Sequence, residues 1–278
     1  MSINSAHPHV LEVFMSTVAV LIPTYKPSWY LRRCLKSIDN QTLPKDKFKV
    51  FIALNGPKDG FDDFILTTLK SINLEYEFFY LEQAGVSNAR NFLIDSSTEP
   101  YITFIDDDDC ISPIYLESLL SVSSPNTIGI SNVYNFENDI NERKPSYLGQ
   151  SFLKLRDVEE SKFKSRKYYS SPCAKLIHRN IIGATRFNTK LAVGEDALFM
   201  AELSYKVKAV KKALPEAIYY VYERPNSASR TKVKPLDELQ RITYLTMQYT
   251  KLFFHPRYNK LFILTRIAAT LKFLNRIF

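Results

Sequence analysis

Short apolar runs alternate with amphipathic segments along the first half of the chain, and this alternation predicts the fold. The run TVAVLI at 17–22 is rich in β-branched residues and stops at Pro23, which is typical of a strand. After Ser28, which can cap a helix, apolar residues recur at helical spacing. The predicted strands are 17–22, 48–54, 75–81 and 101–105, and the later predicted helices are 61–72 and 85–96. Strands separated by helices of this length predict a largely parallel, doubly wound α/β sheet.

The second half of the chain has weaker periodicity. We expect one further strand at 128–136, polar loop and helix over 138–167, and ordered structure again at 183–205 and 217–222. The chain has seven glycines, and they form neither GxGxxG nor GxxxxGK[ST]. Their absence argues against a classical dinucleotide site, a P-loop and a nucleotidyltransferase.

Four consecutive aspartates, here called the aspartate run, follow directly after the apolar run 101–105; they are Asp106, Asp107, Asp108 and Asp109. Adjacent carboxylates repel one another, so a buried strand end carries them only at a cost. Open α/β sheets place their ligands at the carboxyl ends of strands. The run therefore predicts a site for a divalent cation. The alternative is an acidic loop that is simply solvated.

The composition is that of a globular protein with one large α/β domain, or one domain with an appendage, in 278 residues. Three widely spaced cysteines outside any CxxC pattern predict reduced thiols in a cytosolic protein, without a disulfide or a zinc site. No run approaches the ~18–20 apolar residues of a membrane span. Because the first residues lack the apolar core of a signal peptide, we expect 1–16 to be a disordered leader or an upstream start, with Met15 a plausible beginning.

The formal net charge is +8, and it is not spread evenly along the chain. The C-terminal tail is basic, because no acidic residue follows Glu238. Such a tail indicates a partner or a surface. From Tyr258 onward the spacing predicts a helix whose apolar face lies opposite Thr265, Lys272 and Arg276. That face comprises Ile263, Ile267, Leu271, Leu274 and Phe278. It fits an interfacial helix on an anionic membrane leaflet, and the alternative is a helix packed on the domain.

Four segments of the chain occur in an order that is typical of one enzyme family. They are IPTY at 22–25, GVSNARN at 85–91, FIDDDD at 104–109 and GED at 194–196, accompanied by QT at 41–42 and NSAS at 226–229. Together they resemble glycosyltransferase family 2 over roughly residues 17–230. The resemblance implies an inverting, hexosyltransferase-type enzyme that builds bacterial surface polysaccharides such as O-antigen or capsule.

The resemblance also implies a fold and a domain organisation. We expect the GT-A fold, a single Rossmann-like, doubly wound mixed sheet, over 17–230, with a nucleotide-binding half (17–122) and an acceptor half (123–230). Residues 231–278 would form a basic helical tail. The donor would be a nucleotide-diphosphate sugar, with UDP as the expected nucleotide, and the acceptor a saccharide or a polyprenyl-diphosphate-linked sugar. The enzyme would lie in the cytoplasm, peripheral on the inner face of the plasma membrane.

The resemblance assigns the aspartate run to the family's DXD metal motif. Such enzymes use Mn²⁺ or Mg²⁺ to neutralise the charge that develops on the leaving diphosphate. By resemblance Asp108 contacts the metal directly and Asp106 assists. Asp107 would accept hydrogen bonds from the ribose, and Asp109 would cap the following turn or take no part.

Further donor-binding residues follow from the same resemblance. Pro23, Thr24 and Tyr25 would hold the uracil ring, with Tyr25 stacked on it. The chain departs from the family at Lys26, where Asn is usual, and at Asn55, which replaces the Asp that accepts the uracil N3 proton. The amide oxygen of Asn55 can accept the same proton without a charge. This departure leaves open a nucleotide other than UDP.

The resemblance makes Asp196 the general base, which takes the proton from the acceptor hydroxyl as that oxygen attacks the anomeric carbon. Glu195 would orient Asp196 or bind acceptor hydroxyls, and Arg90 would reach the diphosphate or the base edge. The alternative for Glu195 and Asp196 is that they are simply acidic residues at a helix N-terminus, where the helix macrodipole favours negative charge. Two alternative functions remain open: a basic nucleic-acid-binding protein, although no such signature is present, and a catalytically inactive scaffold, because of Asn55.

Overall fold

The structure, a computed structural model, describes residues 17–224 and 234–276. The leader expected at 1–16, the NSAS segment at 226–229 and Phe278 lie outside the described residues. The described part contains strands and helices in alternation through the first half, as the apolar pattern predicts, and ends in two helices.

The elements are numbered in chain order. The strands are β1 (Val18–Thr24), β2 (Phe48–Asn55), β3 (Tyr76–Leu81), β4 (Tyr101–Phe104), β5 (Cys110–Ile111), β6 (Thr127–Ile130), β7 (Asn132–Phe136), β8 (Lys144–Pro145), β9 (Val158–Glu159), β10 (Lys175–His178), β11 (Ala209–Lys212) and β12 (Ile218–Tyr222). The helices are α1 (Trp29–Asp39), α2 (Phe61–Leu69), α3 (Val86–Ser96), α4 (Tyr115–Val122), α5 (Tyr147–Lys154), α6 (Arg179–Ile182), α7 (Glu195–Leu203), α8 (Pro235–Phe254) and α9 (Lys260–Leu271).

A large mixed sheet organises the chain, in the strand order β3-β2-β1-β4-β10-β6-β11-β9. Strands β1, β2, β3 and β4 pair in parallel, while β10 runs antiparallel to β4 and β6. Every residue of β1 is buried, which explains the unbroken apolar run at the start of the pattern. Strand β1 continues through Pro23 to Thr24, two residues beyond the predicted end, because Pro23 and Thr24 keep the parallel register with β2.

A second sheet of four strands, β5-β12-β7-β8, lies outside the predicted pattern. The single strand expected at 128–136 is wrong, because the chain changes sheet at Ser131. The Ser131 N–H donates to the Ala174 carbonyl beside the large sheet (3.1 Å), whereas the Asn132 N–H donates to the Ala217 carbonyl beside the small one (3.1 Å). The segment 128–136 carries Ser131 and Asn132 at its centre, but periodicity alone does not show that its two halves pair with different partners.

The C-terminal helices pack on the domain. Phe262 and Ile263 of α9 are fully buried within the main hydrophobic core, and Ile267 packs partly buried against it. The apolar face predicted to meet a membrane is therefore largely turned inward, and the packed-helix alternative holds for these residues. Leu271 of that face is 42% exposed. Within the described ranges, no helix has the length and apolar content that a membrane span requires.

Candidate functional site

The carboxyl ends of the parallel strands β1, β2 and β4 lie side by side, since these strands are neighbours in one sheet. The loops that follow them carry Tyr25, Gly56 and the aspartate run. Gln41 fixes α1 to the segment after that run: its side chain donates to the Ser112 carbonyl (2.8 Å) and accepts from the Leu116 N–H (2.9 Å). The QT pair of the sequence thus has a positioning role behind the site.

The aspartate run does not present four equivalent carboxylates. Asp107 is buried and accepts a hydrogen bond from the Thr24 hydroxyl. Asp109 is buried and accepts from the Tyr222 N–H of β12 (2.8 Å), so it ties the run to the small sheet. Asp106 remains 42% exposed, and Asp108 is 13% exposed. The structure therefore leaves Asp106 and Asp108 as the members that can meet a ligand.

Burial and mutual repulsion shift the titration of this run. Burial, with the charge of Asp106, raises the pKa of Asp108 to about 6. Burial raises the pKa of Asp107 to about 7, although the Thr24 hydroxyl opposes the shift. The pKa of Asp109 also rises well above its usual range through burial. The charged forms of these three carboxyls are disfavoured, so a cation bound nearby would stabilise them.

Asp106 and Asp108 fit a hard divalent cation. Carboxylate oxygens are the ligands that Mg²⁺ and Mn²⁺ prefer, and a bound cation would relieve the repulsion between these two side chains. In the ranges 17–224 and 234–276, no three His, Cys, Asp or Glu side chains converge into a full ligand set. Two carboxylates suffice where substrate phosphates and water complete the shell, which is the usual arrangement for Mg²⁺.

Asn55, the last residue of β2, joins the end of β1 to the loop before α3. Its side-chain N–H donates to the Thr24 carbonyl (2.7 Å), and its amide oxygen accepts from the Gly85 N–H (2.9 Å). Gly85 lies at a positive φ of 150° directly before α3. Of the predicted donor residues, Asn55 and Thr24 are thus in direct contact, while the assignment of Asn55 to the uracil N3 proton stays a prediction. Tyr25 is 49% exposed, and Pro23 is buried within β1.

Glu195 and Asp196 begin α7, and Gly194 places them. Gly194 adopts a left-handed conformation (φ 92°) that L side chains rarely take, and a Cβ at this position would lie 2.8 Å from Leu245 of α8. Glu195 is buried, and burial together with the charge of Asp196 raises its pKa to about 7. Burial also raises the pKa of Asp196, and the charge of Arg90 opposes that rise.

Arg90 connects the two acidic groups. Its guanidinium is 4% exposed and donates to Asp196 Oδ1 (2.5 Å) and to Asp106 Oδ1 (3.1 Å), with Glu195 Oε1 3.6 Å away. Burial lowers the pKa of Arg90, but the charges of Asp196 and Asp106 outweigh it, so the pKa is raised and the side chain stays charged. The structure thus turns Arg90 toward carboxylates, and its expected contact with a donor stays a prediction.

Two arginines that the sequence pattern did not single out lie beside Asp108. Arg224 Nε is 2.7 Å from Asp108 Oδ2, and Arg33 donates to the Asp108 carbonyl (3.0 Å). Arg33 also stacks on Phe136 (4.6 Å) and Tyr222 (4.4 Å). Their proximity depends on the pairing of β12 with β5 and β7, which no local signal predicts.

The chain is similar in sequence to known glycosyltransferases. A family model described as Glycosyl transferase family 2 matches residues 19–184. Glycosyltransferase GlyA of Streptococcus pneumoniae is 30% identical over 229 residues, which are 77% of this chain and 31% of that protein. Poly(ribitol-phosphate) beta-N-acetylglucosaminyltransferase TarS of Staphylococcus aureus is 22% identical over 226 residues, 80% of this chain and 39% of that protein. The matched residues thus span about a third of the length of GlyA and somewhat more of TarS.

Solved structures share the fold. The crystal structure of S. aureus TarS 1-349 in complex with UDP-GlcNAc has a TM-score of 0.73 and 20% identity, and the match covers 92% of this chain and 71% of that one. Mannosyltransferase PcManGT from Pyrobaculum calidifontis, in complex with GDP-Man and Mn²⁺, has a TM-score of 0.61 and 14% identity, over 94% of this chain and 70% of that one. These likenesses confirm the mixed α/β GT-A fold.

Proposed function

The chain belongs to glycosyltransferase family 2 and is a glycosyltransferase, and from this premise we propose that it is a metal-dependent, inverting enzyme that uses a nucleotide-diphosphate sugar. The observation that carries the proposal is the pairing of the two acidic groups across Arg90. One guanidinium contacts Asp106 of the predicted metal site and Asp196 of the predicted base. The donor end and the acceptor end of a transfer reaction would therefore be one side chain apart.

Asp196 is the proposed general base. Its side chain is 25% exposed, while its Oδ1 is held by Arg90 at 2.5 Å, so the carboxylate is oriented and still reachable. It would take the proton of the acceptor hydroxyl as that oxygen attacks the anomeric carbon from the side opposite the diphosphate. A single in-line attack inverts the anomeric configuration. Glu195, buried beside Asp196, is the proposed orienting group on the acceptor side.

Asp108 and Asp106 are the proposed residues for Mn²⁺ or Mg²⁺. The cation, when bound, supplies charge neutralisation for the leaving diphosphate. Asp107 bonds to the Thr24 hydroxyl and so couples the metal loop to the donor loop. A contact from Asp107 to the ribose remains our proposal, and it requires that carboxyl to exchange partners.

Pro23, Thr24, Tyr25 and Asn55 are the proposed nucleotide site, with Arg90 at its inner end. Tyr25 is exposed enough to stack on a base, and the loop beneath it is fixed through Asn55. UDP is the proposed nucleotide, supported by the complex of the structural neighbour TarS with UDP-GlcNAc. The neutral Asn55 in place of Asp keeps another nucleotide as the competing outcome.

Surface glycan synthesis is the proposed biological role. GlyA is a glycosyltransferase of S. pneumoniae, and the name of TarS refers to poly(ribitol-phosphate) as its acceptor. We propose a saccharide acceptor, either polymeric or carried on polyprenyl diphosphate. O-antigen and capsule remain proposals within that class. The family membership favours this role over binding of nucleic acid.

We propose that the GT-A domain spans 17–230, with its nucleotide half at 17–122 and its acceptor half at 123–230, and that 231–278 associate with the inner face of the plasma membrane. The supporting feature is a group of exposed apolar side chains on the two C-terminal helices. Leu261 (56%), Leu264 (48%) and Phe254 (76%) are exposed there, close in sequence to Lys251, Arg257 and Lys260. Apolar and basic side chains together suit an anionic leaflet.

The membrane proposal has a direct test. Leu261→Glu with Leu264→Glu should weaken sedimentation with vesicles that contain anionic lipid, because charge replaces the apolar contact. Leu153→Glu, a change at an exposed leucine on α5 (69%), is the matched control and should not. Equal sedimentation of both variants would contradict association through Leu261 and Leu264.

The experiment that tests the enzymatic proposal is a panel of nucleotide-sugars with Mn²⁺. Nucleotide release is scored with and without a lipid-linked or polymeric saccharide acceptor, and again in EDTA. We expect release with a UDP-sugar that depends on both the acceptor and the metal. A protein that binds the donor but releases no nucleotide with any acceptor would favour the inactive scaffold.

A further inference from the structure

We propose that Arg224 occupies the metal aspartate Asp108 in the free enzyme, so that a divalent cation binds tightly only together with the donor. This inference rests on the proposed metal site and adds a residue to it. Arg224 follows β12 directly and lies at the end of the small sheet. Neither the sequence pattern nor the resemblance assigns a role to this residue.

The contact between the two side chains is close. Arg224 Nε lies 2.7 Å from Asp108 Oδ2, and the guanidinium stacks on Tyr30 at 5.0 Å. Asp108 is 13% exposed and Arg224 is 35% exposed. A cation at Asp108 would therefore meet the Arg224 side chain, more than a third of which is exposed to solvent.

The geometry of this ion pair suits a contact that an incoming cation can displace. Although Nε is 2.7 Å from the carboxylate, it is buried and makes no hydrogen bond, so its N–H is not aimed at the oxygen. An arginine that serves as a permanent partner to a carboxylate normally donates in a parallel, bidentate fork. Here the attraction is that of charge alone, and an incoming Mn²⁺ supplies more charge at the same oxygen.

Charge balance predicts the order of binding. Asp108 faces Arg224, Asp106 and, through its carbonyl, Arg33. Metal alone would bring two positive charges beside two arginines and would leave Arg224 without its carboxylate, which costs free energy. A donor diphosphate brings negative charge to the same place and offers Arg224 new oxygen acceptors. Metal and donor should therefore each strengthen the binding of the other, since such coupling is reciprocal.

The test measures Mn²⁺ binding and does not depend on turnover. Free Mn²⁺ is followed by electron paramagnetic resonance in titrations of the full chain, with and without UDP at saturating concentration. In the absence of UDP, Arg224→Gln should bind Mn²⁺ about tenfold more tightly than wild type, within the range that coupled sites show. With UDP present, the gain in Mn²⁺ affinity should be large for wild type and small for the variant.

The matched control is Arg143→Gln. Arg143 also stacks on aromatic rings of the small sheet, Tyr134 (5.5 Å) and Tyr220 (5.9 Å), and its exchange should leave both Mn²⁺ titrations unchanged. Arg224→Lys, which keeps the charge, should behave nearly as wild type and so excludes a loss of fold as the cause.

Two results would overturn the inference. If Arg224→Gln binds Mn²⁺ with unchanged or lower affinity in the absence of UDP, Arg224 does not compete for Asp108. If the UDP-dependent gain is the same in both proteins, Arg224 does not couple the ligands. Either result leaves metal-dependent transfer intact, whereas wild-type protein that binds no Mn²⁺ under any condition removes both this inference and the proposed metal site.

Discussion

Arg90→Gln is the substitution that the geometry of the site predicts most sharply. Arg90 is 4% exposed, and its loss leaves Asp196 and Asp106 without their cation. Removing one partner of a buried ion pair typically costs about 3–5 kcal/mol. Because the Asp106 side chain is 42% exposed and water can replace part of its contact, we expect about 3 kcal/mol, the lower end of that range.

The matched control is Arg186→Gln. Arg186 also pairs with an aspartate, Asp95, but these side chains are 32% and 59% exposed, and exposed pairs contribute about 0–1 kcal/mol. Urea unfolding of the full chain, followed by circular dichroism, measures both variants. Arg90→Gln should lose at least about 2 kcal/mol more than the control. If the two variants unfold at the same urea concentration with equal slopes, Arg90 is not the cation that holds the acids together.

Three further predictions concern single positions. Glu202→Gln should leave the free energy of unfolding nearly unchanged at pH 4 and raise it by about 1–2 kcal/mol at pH 8. Burial raises the folded pKa of Glu202 to about 7, so the stability that the neutral carboxyl allows is lost as pH rises from the ordinary Glu pKa of about 4.3 through the folded value. Equal effects at both pH values would contradict this. Asn55→Asp should lower the free energy of unfolding, measured with urea, by about 1–3 kcal/mol, because a carboxylate cannot donate a hydrogen bond to the Thr24 carbonyl. A variant as stable as wild type would show that this hydrogen bond is dispensable. Gly194→Ala should lower the rate of sugar transfer more than the affinity for the donor, because the added Cβ would clash with Leu245 and displace the start of α7. A variant with normal kcat would show that this turn does not position Asp196.

The sequence predicts the first half of the fold well, because buried parallel strands appear as unbroken apolar runs between helical patterns. It fails at 128–136, where the two halves of one predicted strand belong to two sheets, since periodicity carries no information about which partner a strand pairs with. The apolar spacing predicts the C-terminal helix but leaves open whether its apolar face meets a membrane or the domain, and in the structure Ile263 and Ile267 of that face pack on the domain. An amphipathic pattern reads the same whether the apolar side meets lipid or protein.

The candidate site shows the same limit. Asp106, Asp108 and Asp196 could be selected because each stands at a strand end or a helix start in a recurring motif. Arg224 and Arg33 could not, because their contact with Asp108 depends on how the small sheet folds back against α1. The sequence also could not show that Asp107 accepts a hydrogen bond from Thr24 and Asp109 one from β12. The four residues are identical, and only the backbone turn decides where each side chain points.

The central claim is that Asp196 is the base and the aspartate run holds the donor, and Asp196→Asn tests it most directly. Transfer from the active nucleotide-sugar and donor binding by calorimetry are measured on the same preparation, with Asp95→Asn as the control for loss of an acidic side chain. The account predicts that Asp196→Asn binds donor with Mn²⁺ as wild type does and that its transfer rate falls by about 10²–10⁴-fold, the usual contribution of a general base. Transfer at the wild-type rate would contradict it.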